Sequence, residues 1–125
     1  MRIAVTYDQG QIFQRFGHTP QFKFYDVDEG KIIREQIVHT PAKKGHIAFV
    51  DFLKRMSVDI VICDRIGDEG QKSLKVAGIE LYAGVKGNTD EVVKSLIAGT
   101  LSKNENSKAN QRKGNYRIGT PISFY

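Results

Sequence analysis

Residues 58–63, with the sequence VDIVIC, are apolar except for Asp59. Such an almost continuous apolar run is typical of a central parallel strand that is buried on both faces. The segment before it contains four apolar residues at the i, i+3, i+4 and i+7 spacing of one helix face: Phe49, Phe52, Leu53 and Met56. A helix that leads into a buried parallel strand predicts an α/β fold.

The remaining patterns predict five strands and three helices in the order β-β-β-α-β-α-β-α. The strands are expected at residues 3–7, 22–27, 32–39, 58–63 and 79–82. The helices are expected to begin at Gly45 and His46, at a capping Asp68, and at Asn88. Hairpins join the first three strands, and right-handed crossovers then make the last two parallel to the first. We therefore predict a ribonuclease-H-like three-layer α/β fold, with a mixed five-stranded sheet of order 3-2-1-4-5, strand 2 antiparallel, and helices on both faces.

The 125 residues carry a net charge of +5, and most of it lies near the C-terminus. Residues 102–125 contain one acidic residue, Glu105, and five basic ones: Lys103, Lys108, Arg112, Lys113 and Arg117. The apolar pattern also fades after Leu101, so we expect an α/β domain over residues 1–101 and a basic, flexible tail over 102–125. The domain is nearly neutral, so it gives no reason to expect a nucleic-acid partner. A basic tail can bind nucleic acid or an acidic protein, but it is more often a solvated appendage.

Several classes of protein are excluded by what the sequence lacks. The single cysteine, Cys63, allows neither an internal disulfide nor the paired cysteines of a structural zinc site. No apolar run reaches the roughly 20 residues of a membrane-spanning helix. Because the first strand begins at once, we expect no signal peptide and a cytoplasmic location. The glycine-containing turns match neither a dinucleotide fingerprint nor a P-loop.

Two histidines and the cysteine belong to segments that the predicted topology brings to one edge of the sheet. His18 lies in the loop after the first strand, His46 opens the first helix, and Cys63 ends the fourth strand. Ligands of open α/β sheets bind at such an edge, where the connections reverse direction. Imidazole and thiolate groups bind transition metals and iron–sulfur units, so His18, His46 and Cys63 are the predicted metal ligands.

Other groups near this edge suit an anionic ligand. Backbone amides near Gly17, Gly45 and Gly67 can approach an anion, and the N-terminus of the first helix carries a positive partial charge. Arg65 follows the fourth strand, and the lysine pair 43–44 precedes the first helix. We expect the three glycines and Arg65 to contact a bound metal–sulfur cofactor, with the lysine pair attracting it.

The same residues allow other interpretations. His18 could be a loop histidine that hydrogen-bonds locally, His46 could be a solvated residue of the first helical turn, and Cys63 could be a small core residue. Carboxylates near the same edge would suit the magnesium ions of a ribonuclease-H-like nuclease: Asp8, Asp64, Asp68 and Glu69. The chain could also be an interaction or regulatory domain that binds no cofactor.

Several short motifs follow one another in a fixed order: MRIAV at 1–5, FGH at 16–18, FYDV at 24–27, GH at 45–46, VDIVI at 58–62, IG at 66–67 and AGI at 77–79. With these motifs, the chain resembles the dinitrogenase iron–molybdenum cofactor-binding family, the NifX-like domains also found at the C-terminus of NifB, over about residues 1–101. Asp64 and Arg65 stand where that family often has two glycines.

The resemblance implies a small carrier or chaperone that reversibly binds an iron–sulfur or iron–molybdenum cluster and catalyses no reaction. Cluster donor and acceptor proteins are the implied partners, and we expect a monomer or a weak dimer. The resemblance also implies the ribonuclease-H-like sheet that the strand order predicts.

Overall fold

A computed structural model describes residues 1–101. These residues form six strands: β1 (Arg2–Asp8), β2 (Gln11–Ile12), β3 (Gln21–Asp28), β4 (Lys31–His39), β5 (Ile60–Ile62) and β6 (Glu80–Tyr82). They also form three α-helices and one 3₁₀ turn: α1 (His46–Arg55), α2 (Asp68–Val76), α3 (Thr89–Ala98) and the turn Phe16–His18. The predicted basic tail lies outside the described residues. None of the three helices is long and apolar enough to cross a membrane.

The strands form one mixed sheet in the order β4-β3-β1-β5-β6, with β2 paired to β1 outside this path. β3 is antiparallel to both β1 and β4, whereas β5 is parallel to both β1 and β6. The α/β class and the mixed sheet are therefore confirmed. The prediction of five strands was wrong in one detail: residues 11–12, which were expected in a loop, form the additional short strand β2. Gln9 and Gly10 both have positive φ, 49° and 86°, as in the two-residue turns that join hairpin strands.

Helices cover both faces of the sheet because strand residues on each side are apolar. On one face the strands pack against α1 and α2 in a buried cluster that includes Ala4, Phe22, Phe24, Val61, Phe49, Leu53 and Leu74. Phe52 and Met56 pack against the same cluster, so the predicted apolar face of α1 is confirmed. On the other face the strands pack against α3 in a second cluster that includes Ile3, Val5, Tyr25, Ile62, Tyr82, Val93 and Leu96.

A polar cluster fixes the beginning of α3 to β3. The ammonium group of Lys23 lies 2.8 Å from a carboxylate oxygen of Asp90 and 3.0 Å from one of Glu35. The buried Tyr25 hydroxyl donates a hydrogen bond to Asp90 as well. The hydrogen bonds from Lys23 and Tyr25 hold the pKa of Asp90 below its usual range. Burial, with a further contribution from Asp90, raises the pKa of Tyr25.

Two of the predicted helix ends are confirmed, and one was wrong. The side chain of Asn88 accepts a hydrogen bond of 3.0 Å from the backbone N–H of Glu91, which confirms Asn88 as the N-cap of α3. Gly78, with a φ of 79°, ends α2 as predicted. The predicted capping role of Asp68 was wrong, because Gly67 is the N-cap and Asp68 is the first helical residue.

Candidate functional site

An open cleft of about 650 Å³ lies beyond the carboxyl ends of β1 and β5. The residues that line it come from the 3₁₀ turn, the start of α1, the segment after β5 and the start of α2: Arg15, Phe16, Gly17, His18, Gly45, His46, Arg65, Ile66, Gly67, Asp68, Glu69 and Gly70. Its volume is in the range of small-molecule and cofactor sites, about 300–1,000 Å³.

The 3₁₀ turn is held in place by backbone hydrogen bonds and by one aromatic side chain. The N–H of Phe16 donates to the carbonyl of Arg65 at 2.9 Å, and the N–H of Gly45 donates to the carbonyl of Gly17 at 3.2 Å. The buried ring of Phe16 lies 6.0 Å from those of Phe22 and Phe49, measured between centroids. These contacts anchor the turn that carries His18 to the segment after β5, to the start of α1 and to the core.

Two helices begin at the cleft, and neither has a side-chain cap. α1 starts after Gly45, whose φ of 112° lies in the region that favours glycine, and α2 starts after Gly67. In both helices the first N–H groups lack an intrahelical acceptor, and the helix dipole gives this end a partial positive charge. The two helix N-termini therefore give the cleft a backbone surface suited to an anion.

Close packing brings α1 and α2 together at this point. A Cβ atom added to Gly70 would lie 3.4 Å from the Cβ of His46 and 2.9 Å from Cγ1 of Ile66. The second distance is shorter than real Cβ contacts, so any larger residue at position 70 displaces Ile66. Gly70 thus allows the first turn of α2 to approach His46.

The formal charges of the cleft are mixed. The exposed residues Arg15 and Arg65 line the cleft. Asp68 and Glu69, in the first turn of α2, line it as well. Lys44, which was expected to attract an anion, does not line the cleft, and its ammonium group lies 2.8 Å from the hydroxyl of Thr40. The guanidinium groups can bind an anion bidentately, and the imidazoles can coordinate a metal.

The structure brings six of the seven predicted site residues to the cleft: His18, His46, Gly17, Gly45, Gly67 and Arg65. Cys63 is the exception, because it is fully buried in the cluster beneath α1 and α2. Burial raises the pKa of its thiol, and the neighbouring Asp64 raises it further, so a thiolate is disfavoured. The prediction of Cys63 as a third ligand at the same site was therefore wrong.

The carboxylates that would define a nuclease do not converge. The side chain of Asp64 is mostly buried, and one of its oxygens lies 2.7 Å from the ammonium group of Lys86. Asp68 and Glu69 line the cleft, whereas Asp8 does not. Within residues 1–101, no group of three or more histidine, cysteine or acidic side chains is placed to hold a metal ion by itself. The described residues therefore assemble neither the nuclease site nor the three-ligand site.

Arg15 is the main cleft residue that the sequence analysis missed. It precedes the FGH motif directly, and it forms an isolated parallel β-bridge with Arg65. Its position next to this motif was an available signal. The contributions of Ile66 and Gly70 depend on how α2 packs against α1, which no local pattern reports.

Comparison with known proteins identifies the family. The family described as "Dinitrogenase iron-molybdenum cofactor" matches residues 1–99. "Uncharacterized protein MJ0580" of Methanocaldococcus jannaschii is 26% identical in an alignment of 109 residues that covers 84% of this chain and 92% of that protein. The resemblance drawn from the motifs is confirmed.

Solved structures share the fold. The crystal structure of PH0822 is similar with a TM-score of 0.78 and 24% identity, covering 83% of this chain and 95% of that one. The apo form of the orange protein from Desulfovibrio gigas is similar with a TM-score of 0.70 and 21% identity, covering 82% and 92%. At these identities the likeness shows the fold alone.

Proposed function

Because the chain belongs to the dinitrogenase iron–molybdenum cofactor family, we propose that it is a small carrier that reversibly binds an iron–sulfur or iron–molybdenum cluster. One observation carries the proposal: two histidines, two arginines and two uncapped helix N-termini face a single cleft. Metal–sulfur clusters combine metal ions, which imidazole binds, with anionic charge, which guanidinium groups and helix N-termini bind.

His18 and His46 are the proposed metal ligands, and Arg15 and Arg65 the proposed partners of the cluster's anionic groups. The backbone around Gly17, Gly45 and Gly67 would contact the cluster closely. Two imidazoles hold a cluster less firmly than a full set of thiolates does, and this suits a carrier that must release its cargo. The cargo is transferred and not transformed, so no catalytic step is proposed.

Three further features belong to the same proposal. The ribonuclease-H-like classification is supported by the order of the strands along the sheet. Proteins that assemble or accept the cluster are the proposed partners, in line with the family. The cytoplasm is the proposed location, where such assembly takes place under reducing conditions.

The first test is cluster uptake by the purified full chain. The protein is incubated anaerobically with iron, sulfide and molybdate, desalted, and examined by metal analysis and visible absorption. We expect retained iron with charge-transfer absorption, and its loss in the double variant His18→Ala/His46→Ala. His39→Ala is the matched control, because His39 is exposed at the end of β4 and does not line the cleft. Failure of the wild type to retain metal would contradict the proposal, as would equal retention by the double variant.

A charge variant separates an anionic cluster from a bare metal cation. Glu69 lines the cleft in the first turn of α2. Glu69→Gln removes a negative charge, so it should strengthen retention of an anionic cluster about twofold to fivefold and weaken retention of a bare cation. A weaker retention in this variant would argue that the cleft selects cations.

A further inference from the structure

A second concave surface lies on the outer side of the helix layer, between α1 and α2. This groove has a volume of about 370 Å³ and is lined by Ile47, Val50, Asp51, Lys54, Lys72, Ser73, Val76 and Ala77. Ile47 is 74% exposed and Val76 is 88% exposed. They are two of the four large apolar side chains that are exposed within residues 1–101. Burial of such side chains against a partner is favourable, so the groove has the apolar content of an interaction surface.

The groove is continuous along both helices. Its α1 residues, from Ile47 to Lys54, span seven steps of the helix, which is about 10 Å at roughly 1.5 Å per residue. On the other side it is lined by α2 residues from Lys72 to Val76 and by Ala77, which follows the helix. A surface of this length accommodates about two turns of another helix, whose apolar residues at i, i+3, i+4 and i+7 would meet Ile47 and Val76.

The charges at the rim of the groove are mainly positive. Lys54 and Lys72 are exposed, and within the described part of the chain neither forms an ion pair. Among residues 1–101, Asp51 is the only acidic residue that lines the groove, and its carboxylate lies 3.2 Å from Nε of Arg55. The unpaired charge of the rim is therefore that of two ammonium groups.

We propose that the groove between α1 and α2 binds an acidic amphipathic helix of another protein. Carboxylates beside the apolar face of that helix would meet Lys54 and Lys72. The same charges disfavour the other possible occupants. A second copy would bring the same lysine rim, and the basic tail would bring five positive charges against one negative charge.

The groove adjoins the cleft but shares no residue with it. Ile47, which lines the groove, directly follows His46, which lines the cleft. A partner bound in the groove would therefore lie next to the opening through which a ligand enters or leaves. The interaction does not depend on what the cleft binds, so the two proposals can fail separately.

A matched pair of synthetic peptides tests the proposal on the full chain. Both are 14-residue helices with leucine at i, i+3, i+4 and i+7; one carries glutamate beside the leucines, and the other carries lysine. We expect the acidic peptide to bind with a Kd on the order of 100 µM, at least about tenfold more tightly than the basic one at low salt. Val76→Asp should weaken this binding at least about fivefold. Lys72→Glu should reduce the preference for the acidic peptide.

The matched control is Ile33→Asp, which places the same charge at an exposed isoleucine, 66% exposed, on β4. It should leave peptide binding unchanged. Equal binding of the two peptides, binding that Val76→Asp does not affect, or no binding below about 1 mM would each overturn the proposal. A dimer in sedimentation that Val76→Asp dissociates would assign the groove to a second copy. A crosslink from a photoreactive residue at position 76 to residues 102–125 would assign it to the tail.

Discussion

Arg15 and Arg65 lie side by side in a parallel β-bridge, although 50 positions separate them in the sequence. The bridge rests on two backbone hydrogen bonds of 2.9 Å, from the N–H of Phe16 to the carbonyl of Arg65 and from the N–H of Arg65 to the carbonyl of Gln14. It fixes the turn that carries His18 to the segment that follows β5. The backbone positions that carry the two cleft arginines are thus joined directly to each other.

The first prediction concerns these two arginines. Arg15→Gln and Arg65→Gln should each weaken retention of an anionic cluster about fivefold, or ~1 kcal/mol, because each removes a charge-assisted hydrogen bond at an exposed site. The measurement is a titration followed by visible absorption at two salt concentrations. Arg34→Gln on β4 is the control, since Arg34 is exposed and does not line the cleft. An equal loss in the control would indicate a general effect of net charge.

The second prediction concerns Cys63. Because this residue is fully buried and the pKa of its thiol is raised, iodoacetamide should not modify the native protein, and modification should begin only as the protein unfolds in urea. Cys63→Ala should lower the free energy of unfolding by about 1 kcal/mol through the small cavity it leaves, and cluster retention should not change. Rapid alkylation of the native thiol would show that it reaches the surface.

The third prediction concerns acid stability. Hydrogen bonds from Lys23 and Tyr25 lower the pKa of Asp90 in the folded state, relative to about 3.9 in the unfolded chain. Its stabilising contribution is therefore complete above the unfolded pKa and is lost as the pH falls through the folded pKa. Because about half of this side chain is exposed, Asp90→Asn should cost only about 0.5–1 kcal/mol at pH 7.

Urea unfolding between about pH 2 and pH 7 measures this contribution. The stability of Asp90→Asn should fall less steeply with acidification than that of the wild type. Glu29→Gln, in the exposed turn between β3 and β4, should leave the slope unchanged. A parallel slope in Asp90→Asn and the wild type would mean that the ion pair with Lys23 contributes nothing measurable.

The fourth prediction concerns Gly70. Gly70→Val should lower the free energy of unfolding by about 2 kcal/mol, because the new side chain overlaps Ile66. It should also weaken cluster retention, since the Cβ of His46 lies beside the same position. Lys72→Val controls for the lower helix propensity of valine and should cost only about 0.5 kcal/mol. Equal costs at the two positions would contradict the close packing of α1 on α2.

Local and periodic signals were sufficient for the α/β class. The apolar run at 58–63 predicted a buried parallel strand, and the spacing from Phe49 to Met56 predicted the face that α1 buries. The N-cap Asn88 and the end of α2 at Gly78 were also predicted, because capping depends on residues only a few positions apart. β2 was missed because its two residues carry too little pattern.

The candidate site was predicted only in part, because shared position at a sheet edge does not decide which way a side chain points. Residues that follow a strand or open a helix, such as His46 and Arg65, do line the cleft. Cys63 lies one residue after β5, and only the packing of α1 and α2 decided that its thiol faces the core. Arg15 is brought to the cleft by its β-bridge with Arg65, which lies 50 positions further along the sequence. No local pattern predicts a contact between segments so far apart. The sequence alone thus determined the class of fold and the family, because both depend on local patterns that follow one another along the chain. Tertiary packing decided which residues make up the site, because burial depends on neighbours that come together only when the chain folds.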